Sequence, residues 1–301
     1  MTETRGLPGK GDLPVARVPW VDRGGAVEGR ASEGRASEGR AGEGRAGEEW
    51  TSEERAGVGQ ASEALARREA PPSLADFPWA RAVALGAFVL ADGSAVAAQQ
   101  TVVRVARDAR ALHVRFDCAD RDAWGTYRSR NDPIYREEAV EVFLAPGEAT
   151  PRRYWELEVS PLGVLFAARV HNPTGRRADL VADTTWECRG LEWQAGPASA
   201  AGSGQDWWAA LAIPWAELVD GGQAPGGSAL PGPSACGPGD QLPRLWRANF
   251  YRIERPRGGE PELSCWSPTF TIPPDFHRPE RFGLLELDEH SGVHGQVAAR
   301  A

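Results

Sequence analysis

Long apolar runs are absent from this 301-residue chain. No stretch reaches the roughly 18 to 20 apolar residues that a membrane-spanning helix needs, so the sequence predicts no membrane segment. The first six residues, MTETRG, lack the basic-then-apolar order of a secretory signal. That order marks exported proteins, so its absence favours a cytoplasmic location.

Basic charge is also in deficit. Lys and Arg total 34 against 42 Asp and Glu, which gives a formal charge of −8, and Lys10 is the single lysine. Surfaces that bind nucleic acid normally carry clustered basic side chains. The composition therefore predicts no nucleic-acid partner.

Cysteines are few and widely spaced. Cys118, Cys188, Cys236 and Cys265 form no C-x-x-C pair. Four cysteines are too few for a disulfide scaffold at this length, and structural zinc normally uses closely paired ligands. We interpret them as free, mostly buried thiols in a reducing compartment.

The segment 23–72 lacks core-forming side chains over most of its length. From Glu28 it repeats every five residues (EGRAS, EGRAS, EGRAG, EGRAG), with nothing apolar larger than alanine. Such a repeat cannot bury enough surface to offset the entropy of ordering, so 23–72 is predicted to be disordered. The repeat contains a G-x-G-x-x-G match, but a dinucleotide fingerprint must follow a strand and open a helix. We interpret that match as a by-product of the repeat.

Other segments flank or interrupt the predicted folded region. Residues 1–12 and 289–301 are predicted tails. Residues 13–22 contain a short apolar piece that is either an isolated tail or a first edge strand, since proline is tolerated at sheet edges. In 221–243, 12 of 23 residues are Gly or Pro, which predicts a mobile surface loop.

Residues 73–288 show the period-two alternation of half-buried strands. Apolar residues alternate with polar ones over Leu112–Cys118, and similar patterns cover Val140–Leu144 and Trp155–Val159. The one predicted helical turn begins at Pro214. Many short strands with almost no helix predict an all-β fold, an antiparallel two-sheet β-sandwich of jelly-roll or immunoglobulin-like type.

A set of motifs in this region suggests a family. The run DPIYREEAVEVFLAP is followed by YWELEVSPLG, LAIPW, WRANFYRIERP, CWSPT and PPDFHRPERFGLLEL. In these motifs and their order the chain resembles the family 9 carbohydrate-binding modules over Asp76 to Leu287. The closer resemblance is to the stand-alone family 9-like branch of the DOMON-like superfamily. It implies a β-sandwich that binds a mono- or oligosaccharide without catalysis, in carbohydrate catabolism.

The resemblance also implies roles for individual residues. A pyranose presents an apolar face that stacks on an aromatic ring, and its hydroxyls bond to planar polar side chains. Tyr135 matches a stacking ring of the family, Glu141 matches a hydroxyl-binding acid, and Trp266 is the candidate second ring. The predicted carbohydrate-binding set is Tyr135, Glu141, Glu158, Arg247, Asn249 and Trp266. Glu158 stands where a xylanase-linked family member has a sugar-contacting arginine.

Some modules of this family carry structural calcium. Four aspartates cluster in one loop region here, Asp117, Asp120, Asp122 and Asp132. Calcium takes six to eight oxygen ligands from such loops, so these are candidate ligands. The alternative is that they only stabilise turns.

Two other functions stay open at this point. Two carboxylates at a suitable separation can hydrolyse a glycosidic bond, and Glu141, Glu156 and Glu158 could supply them.

The second alternative is a haem or redox domain. The only methionine is Met1, outside the predicted sandwich, which argues against a Met-ligated haem. A site with two histidines could draw on His113, His171 or His277.

Overall fold

The computed structural model describes residues 7–21, 73–198, 206–219 and 242–289. The predicted disordered segment 23–72 and nearly all of the predicted loop 221–243 lie outside these residues. Within them the chain forms fourteen strands and one short α-helix.

Nine strands form the first sheet, sheet A. They are β1 (Val15–Val18), β3 (Val89–Leu90), β6 (Ala139–Pro146), β7 (Arg153–Val159), β8 (Leu165–His171), β9 (Val181–Asp183), β12 (Leu245–Glu254), β13 (Glu262–Cys265) and β14 (Gly283–Leu287). The main order is β1-β14-β12-β6-β7-β8-β9, and β13 joins β12 to β3. All pairs are antiparallel except β1 with β14.

Five strands form the second sheet, sheet B. They are β2 (Val83–Ala84), β4 (Thr101–Arg107), β5 (Ala111–Cys118), β10 (Glu192–Pro197) and β11 (Trp207–Pro214), in the order β10-β11-β5-β4-β2. The helix α1 (Trp215–Val219) begins directly after Pro214, at the predicted helical turn. In the described part of the chain no helix is long and apolar enough to cross a membrane. The predicted all-β sandwich is confirmed.

The main core lies between the two sheets. Alternate residues of β5, namely Leu112, Val114 and Phe116, are fully buried in it, as are Val140 and Val142 of β6. Because side chains alternate across a strand, this places the intervening residues on the outer faces of the sheets.

The outer face of sheet A is covered as well. The chain between β13 and β14 lies on it: the Tyr251 hydroxyl donates to the Phe276 carbonyl at 2.9 Å, and the two rings stack at 4.2 Å. The Tyr154 hydroxyl lies 2.8 Å from Nδ1 of His277. A second apolar cluster therefore forms on this face, and polar residues between its members are buried with it.

Three of the four cysteines are described, and all three are free and buried. Burial raises the pKa of Cys118 to about 11 and that of Cys188 to about 12, and it also raises the pKa of Cys265. Thiols with such pKa values stay protonated at neutral pH and are weak nucleophiles.

Candidate functional site

Three glutamates meet on the covered outer face of sheet A. Glu141 in β6 lies directly opposite Glu158 in β7, and Glu156 lies two residues before Glu158 on the same face. Carboxylate oxygens of all three lie within 4.8 Å of one another. We call Glu141, Glu156 and Glu158 the acidic triad.

The acidic triad is buried. Glu141, Glu156 and Glu158 are 3%, 6% and 1% exposed. Desolvation is the main cause that raises the pKa of Glu156 to about 7 and the pKa values of the other two well above their usual range. The positive charge of Arg177 lowers the pKa values of Glu141 and Glu156, but by less than burial raises them.

Glu158 has the least satisfied side chain of the three. Both of its carboxylate oxygens are buried without a hydrogen-bond donor among the described residues. Its close neighbours are the carboxylates of Glu141 and Glu156, which can only accept when ionised. An ionised, unpaired carboxylate in this position is costly.

Tyr135 provides an exposed ring close to the triad. It lies in the 3-10 turn Ile134–Arg136, where Ile134 is buried beneath it and Tyr135 itself is 38% exposed. Its ring meets Phe166 edge-on at 5.7 Å. Phe166 in β8 lies directly opposite Glu158, so one cross-strand position separates the Tyr135 contact from the triad.

The loop that carries Tyr135 is held to the sheet by Asn131. Its side-chain oxygen accepts from the Ala167 N–H at 3.0 Å, and its amide donates to the Thr184 carbonyl at 2.8 Å. Asn131 has φ of 62°, a left-handed conformation that asparagine adopts more readily than most residues. These bonds from the Asn131 side chain to the backbone of other segments hold the loop that carries Tyr135 against sheet A.

Trp266, the candidate second stacking ring, does not lie on this face with Tyr135 and Glu141. It is 7% exposed and packs in the main core, 5.7 Å from Phe250. A Cβ on Gly283 would lie 2.5 Å from its ring, so the backbone of β14 packs directly against it. The physical reason is alternation: the preceding Cys265 belongs to the outer cluster, so Trp266 points inward.

Arg247 and Asn249 share the outer face, but the backbone already occupies their polar groups. Asn249 is fully buried, donates to the Ser267 carbonyl at 2.8 Å and accepts from the Ser267 N–H at 3.0 Å. Arg247 donates from Nε to the Glu148 carbonyl at 2.7 Å and from Nη1 to the Phe282 carbonyl at 2.6 Å. Their predicted sugar contacts are thus replaced by bonds that tie neighbouring chain segments to sheet A.

A second acidic cluster lies where β5 ends, β6 begins and β12 ends. Oxygens of Asp120, Asp122, Glu138 and Glu254 lie within 4.8 Å of one another. We call these four residues the acidic quartet. The first two are predicted calcium ligands, whereas Glu138 and Glu254 were missed. The pairing of Ile253 with Ala139 brings Glu138 and Glu254 together, and no sequence pattern predicts that register.

The other two predicted calcium ligands lie elsewhere, which corrects that set. Asp117 forms ion pairs with Arg104 and, at 2.8 Å, with Arg115. Asp132 accepts backbone N–H groups of its own turn, including that of Ser129 at 2.8 Å. Asp132 thus stabilises a turn, as the alternative interpretation proposed.

The quartet contains its own positive charge. Arg252 donates to Oδ2 of Asp120 at 2.7 Å, and both side chains are fully buried. The Trp207 indole donates to the same oxygen at 3.0 Å. Both oxygens of the fully buried Glu138 have no partner within the described residues, and burial followed by the charge of Asp120 raises its pKa to about 9. Four carboxylates with one unpaired member are the donor set that calcium prefers.

The three candidate haem histidines are dispersed. His113 stacks on Phe77 at 4.3 Å and lies 2.9 Å from Asp108, on the outer side of sheet B. His277 is buried on the outer face of sheet A, and His171 is exposed at the end of β8. The opposite outer faces hold His113 and His277 apart, so they form no common metal site.

Comparisons with known sequences give one partial relative. No family model matches the chain. A protein of Arthroderma benhamiae (strain ATCC MYA-4681 / CBS 112371) named "Extracellular protein" is 35% identical over 82 residues. The match covers 27% of this chain and 37% of that protein, so the chain spans little more than a third of this relative.

Comparisons with solved structures identify the fold. A candidate carbohydrate-binding protein from Bacteroides uniformis ATCC 8492 superposes with a TM-score of 0.54 at 15% identity, covering 92% of this chain and all of that one. Family 9 carbohydrate-binding modules from Caldicellulosiruptor kristjanssonii, solved with cellotriose and with glucose, give TM-scores of 0.41 and 0.40 at 12% identity. They cover 74% and 72% of this chain and 90% of each module. The chain shares the fold of the Bacteroides protein.

Proposed function

We propose that this protein binds a mono- or oligosaccharide without transforming it, on the outer face of sheet A beside Tyr135. The observation that carries the proposal is the Tyr135 ring. It is 38% exposed, rests edge-on against Phe166 and lies one cross-strand position from the buried acidic triad. A fixed aromatic ring beside polar groups is suited to the two kinds of surface of a pyranose.

The shared fold supports the proposal to a lesser degree. The Bacteroides protein is named as a candidate for carbohydrate binding, and it matches this chain over its whole length. Because one fold can host many functions, the assignment depends on the site rather than on the fold.

In the proposed complex the saccharide stacks on Tyr135, and its contact with the predicted acids Glu141 and Glu158 stays a prediction. These two acids are at most 3% exposed, so the chain above them must move before a hydroxyl can reach them.

The triad is a poor glycosidase site. Hydrolysis requires carboxylates on opposite sides of the glycosidic bond, about 5 to 10 Å apart, with a sugar between them. The oxygens of the triad lie within 4.8 Å of one another, and its members are at most 6% exposed. Neither the hydrolase nor the haem alternative gains support from the described residues.

The resemblance further implies calcium, and the residues present fit it. We assign the ion to Asp120, Asp122, Glu138 and Glu254. Bound calcium would neutralise excess negative charge and hold together the ends of β5, β6 and β12. The unpaired, fully buried carboxylate of Glu138 supports this assignment.

Three finer assignments stay predictions: the DOMON-like superfamily, a role in carbohydrate catabolism and the cytoplasmic location. The Arthroderma relative is named as extracellular, which differs from the location predicted here. Fractionation of the native organism with an antibody to this chain distinguishes the two locations.

A glycan-array screen of the full chain tests the proposed function. The expected result is binding to a chemically related group of glycans that is lost in Tyr135→Ala. The Val102→Ala variant is the matched control, because Val102 is also 38% exposed but lies on sheet B. Absence of binding by the folded wild-type chain to every glycan would contradict the proposal.

A further inference from the structure

No arginine or lysine in the described part of the chain forms an ion pair with the acidic triad. Among the described residues, the ion-pair contact to the triad is His277, whose Nε2 lies 3.9 Å from Oε1 of Glu156. The exposed guanidinium of Arg177 pairs with Asp275 at 3.3 Å, and its charge acts on Glu141 and Glu156 without forming an ion pair with them.

We propose that Glu141, Glu156 and Glu158 together bind one divalent cation of the hard, oxygen-preferring kind, with the size of Ca²⁺. Two oxygens that share a Ca²⁺ at about 2.4 Å lie no more than about 4.8 Å apart. The triad meets this limit for all three of its members. The carboxylate of Glu158 is 1% exposed, has no hydrogen-bond donor among the described residues and lies within 4.8 Å of the other two carboxylates.

The sheet holds these ligands in place before an ion arrives. β6 and β7 are interior strands of sheet A, and their register sets Glu141 opposite Glu158. Ligands on paired strands need little reorganisation to bind, which favours affinity.

The ligand chemistry selects against softer metals. The three ligands are all carboxylates, and such donors favour Ca²⁺, Mg²⁺ and Mn²⁺ over metals that prefer thiolate or imidazole. His277 is placed as a positioning residue: its Nδ1 is bonded to the Tyr154 hydroxyl at 2.8 Å, and its Nε2 faces Glu156. Among divalent ions we commit to Ca²⁺, because it tolerates irregular coordination better than Mg²⁺.

Calorimetric titration of the full, chelator-treated chain with CaCl₂ alone tests this inference. No saccharide is present, so failure of the proposed sugar binding does not affect the result. Wild type is expected to bind one Ca²⁺ at the triad in addition to the ion assigned to the quartet. Glu158→Gln keeps the side-chain shape and is expected to lose one site, and Glu280→Gln, which alters an exposed acid, is expected to lose none.

The quartet variant Glu138→Gln separates the two clusters. It is expected to retain one Ca²⁺ site, and the double variant Glu138→Gln/Glu158→Gln is expected to retain none. If Glu158→Gln fails to fold, Glu138→Gln alone decides the matter, because it leaves the triad intact. Absence of Ca²⁺ binding by folded Glu138→Gln, or unchanged Ca²⁺ binding in Glu158→Gln, would overturn the proposal in favour of a triad that holds protons.

Discussion

The two acidic clusters differ in how their charge is balanced. The quartet includes the buried Arg252, which pairs with Asp120 at 2.7 Å, whereas the ion-pair contact of the triad within the described residues is His277 at 3.9 Å. Burying a carboxylate is costly unless a counter-charge, a proton or a metal ion accompanies it. The quartet thus carries part of its compensation in the fold, and the triad must obtain its compensation from outside.

The clusters also differ in how they are assembled. The triad follows from one pairing of adjacent strands, with side chains two residues apart. The quartet joins residues far apart in sequence, since Asp122 and Glu254 come from separate strand ends. Strand geometry therefore fixes the triad, while the quartet depends on the ion pair and loops around it.

Removal of Arg252 is expected to have the largest effect. Arg252→Met leaves Asp120 buried without its cation, so the free energy of unfolding should fall by about 3–5 kcal/mol. The matched control is Arg244→Met, which removes an exposed partner of Glu286 and should cost less than about 1 kcal/mol. Urea unfolding followed by tryptophan fluorescence measures both, and equal losses would contradict the assigned role of the buried pair.

The pH dependence of the free energy of unfolding, measured without metal, tests how the triad differs from the quartet. The pKa of Glu156 is raised from 4.5 to about 7, so the folded state holds a proton that the unfolded chain has released between these values. This contribution is complete below pH 4.5 and is lost as pH rises through 7. At about 1.4 kcal/mol per pKa unit, the loss is about 3 kcal/mol.

Other groups near the triad must be separated from this effect. The lowered pKa of His277 acts in the opposite sense, because it makes the free energy of unfolding rise with pH between about pH 4 and 6.5. Unfolding free energies of wild type and Glu156→Gln, measured in chelator from pH 5 to 8, isolate the contribution of Glu156. If the free energy of unfolding changes with pH equally in the two proteins, burial of Glu156 does not raise its pKa as argued here.

Calcium removal should act on both clusters. At a free Ca²⁺ concentration of about 100 times Kd, a single site stabilises the folded state by about 2.7 kcal/mol. Chelation should therefore lower the melting temperature of wild type, and Glu138→Gln should show a smaller drop. A melting temperature that is insensitive to chelator in wild type would argue against both ions. Differential scanning calorimetry gives these values directly.

Sequence patterns predicted the sheets better than the site. Alternation over Leu112–Cys118 and Trp155–Val159 identifies β5 and β7 because a strand turns each side chain to the opposite face. Alternation does not show what covers a face, however. Glu141 could therefore be placed only on a face opposite Val140 and Val142. The apolar cluster that covers this face includes Phe276, more than a hundred residues later in the chain.

Trp266 also shows that the sequence did not reveal which face a side chain occupies: it was predicted to contact a ligand, but it is buried in the main core. Its residue type suggested a sugar-stacking ring, but its side is set by β13, a four-residue strand too short to show a clear period. Tyr135 was easier to place, since it lies in a turn shortly before β6. Local signals located exposed residues, and long-range packing decided which polar residues were buried.

The central claim is that a saccharide binds beside Tyr135. It is tested most directly by calorimetry, in which the glycan selected by array screening is titrated into wild type and three variants. Tyr135→Ala should weaken binding by about 1–3 kcal/mol, as expected for loss of an aromatic anchor. Tyr135→Phe keeps the ring and Val102→Ala changes sheet B, so both should bind nearly as wild type does. Equal affinity of Tyr135→Ala and wild type would contradict a saccharide site beside Tyr135.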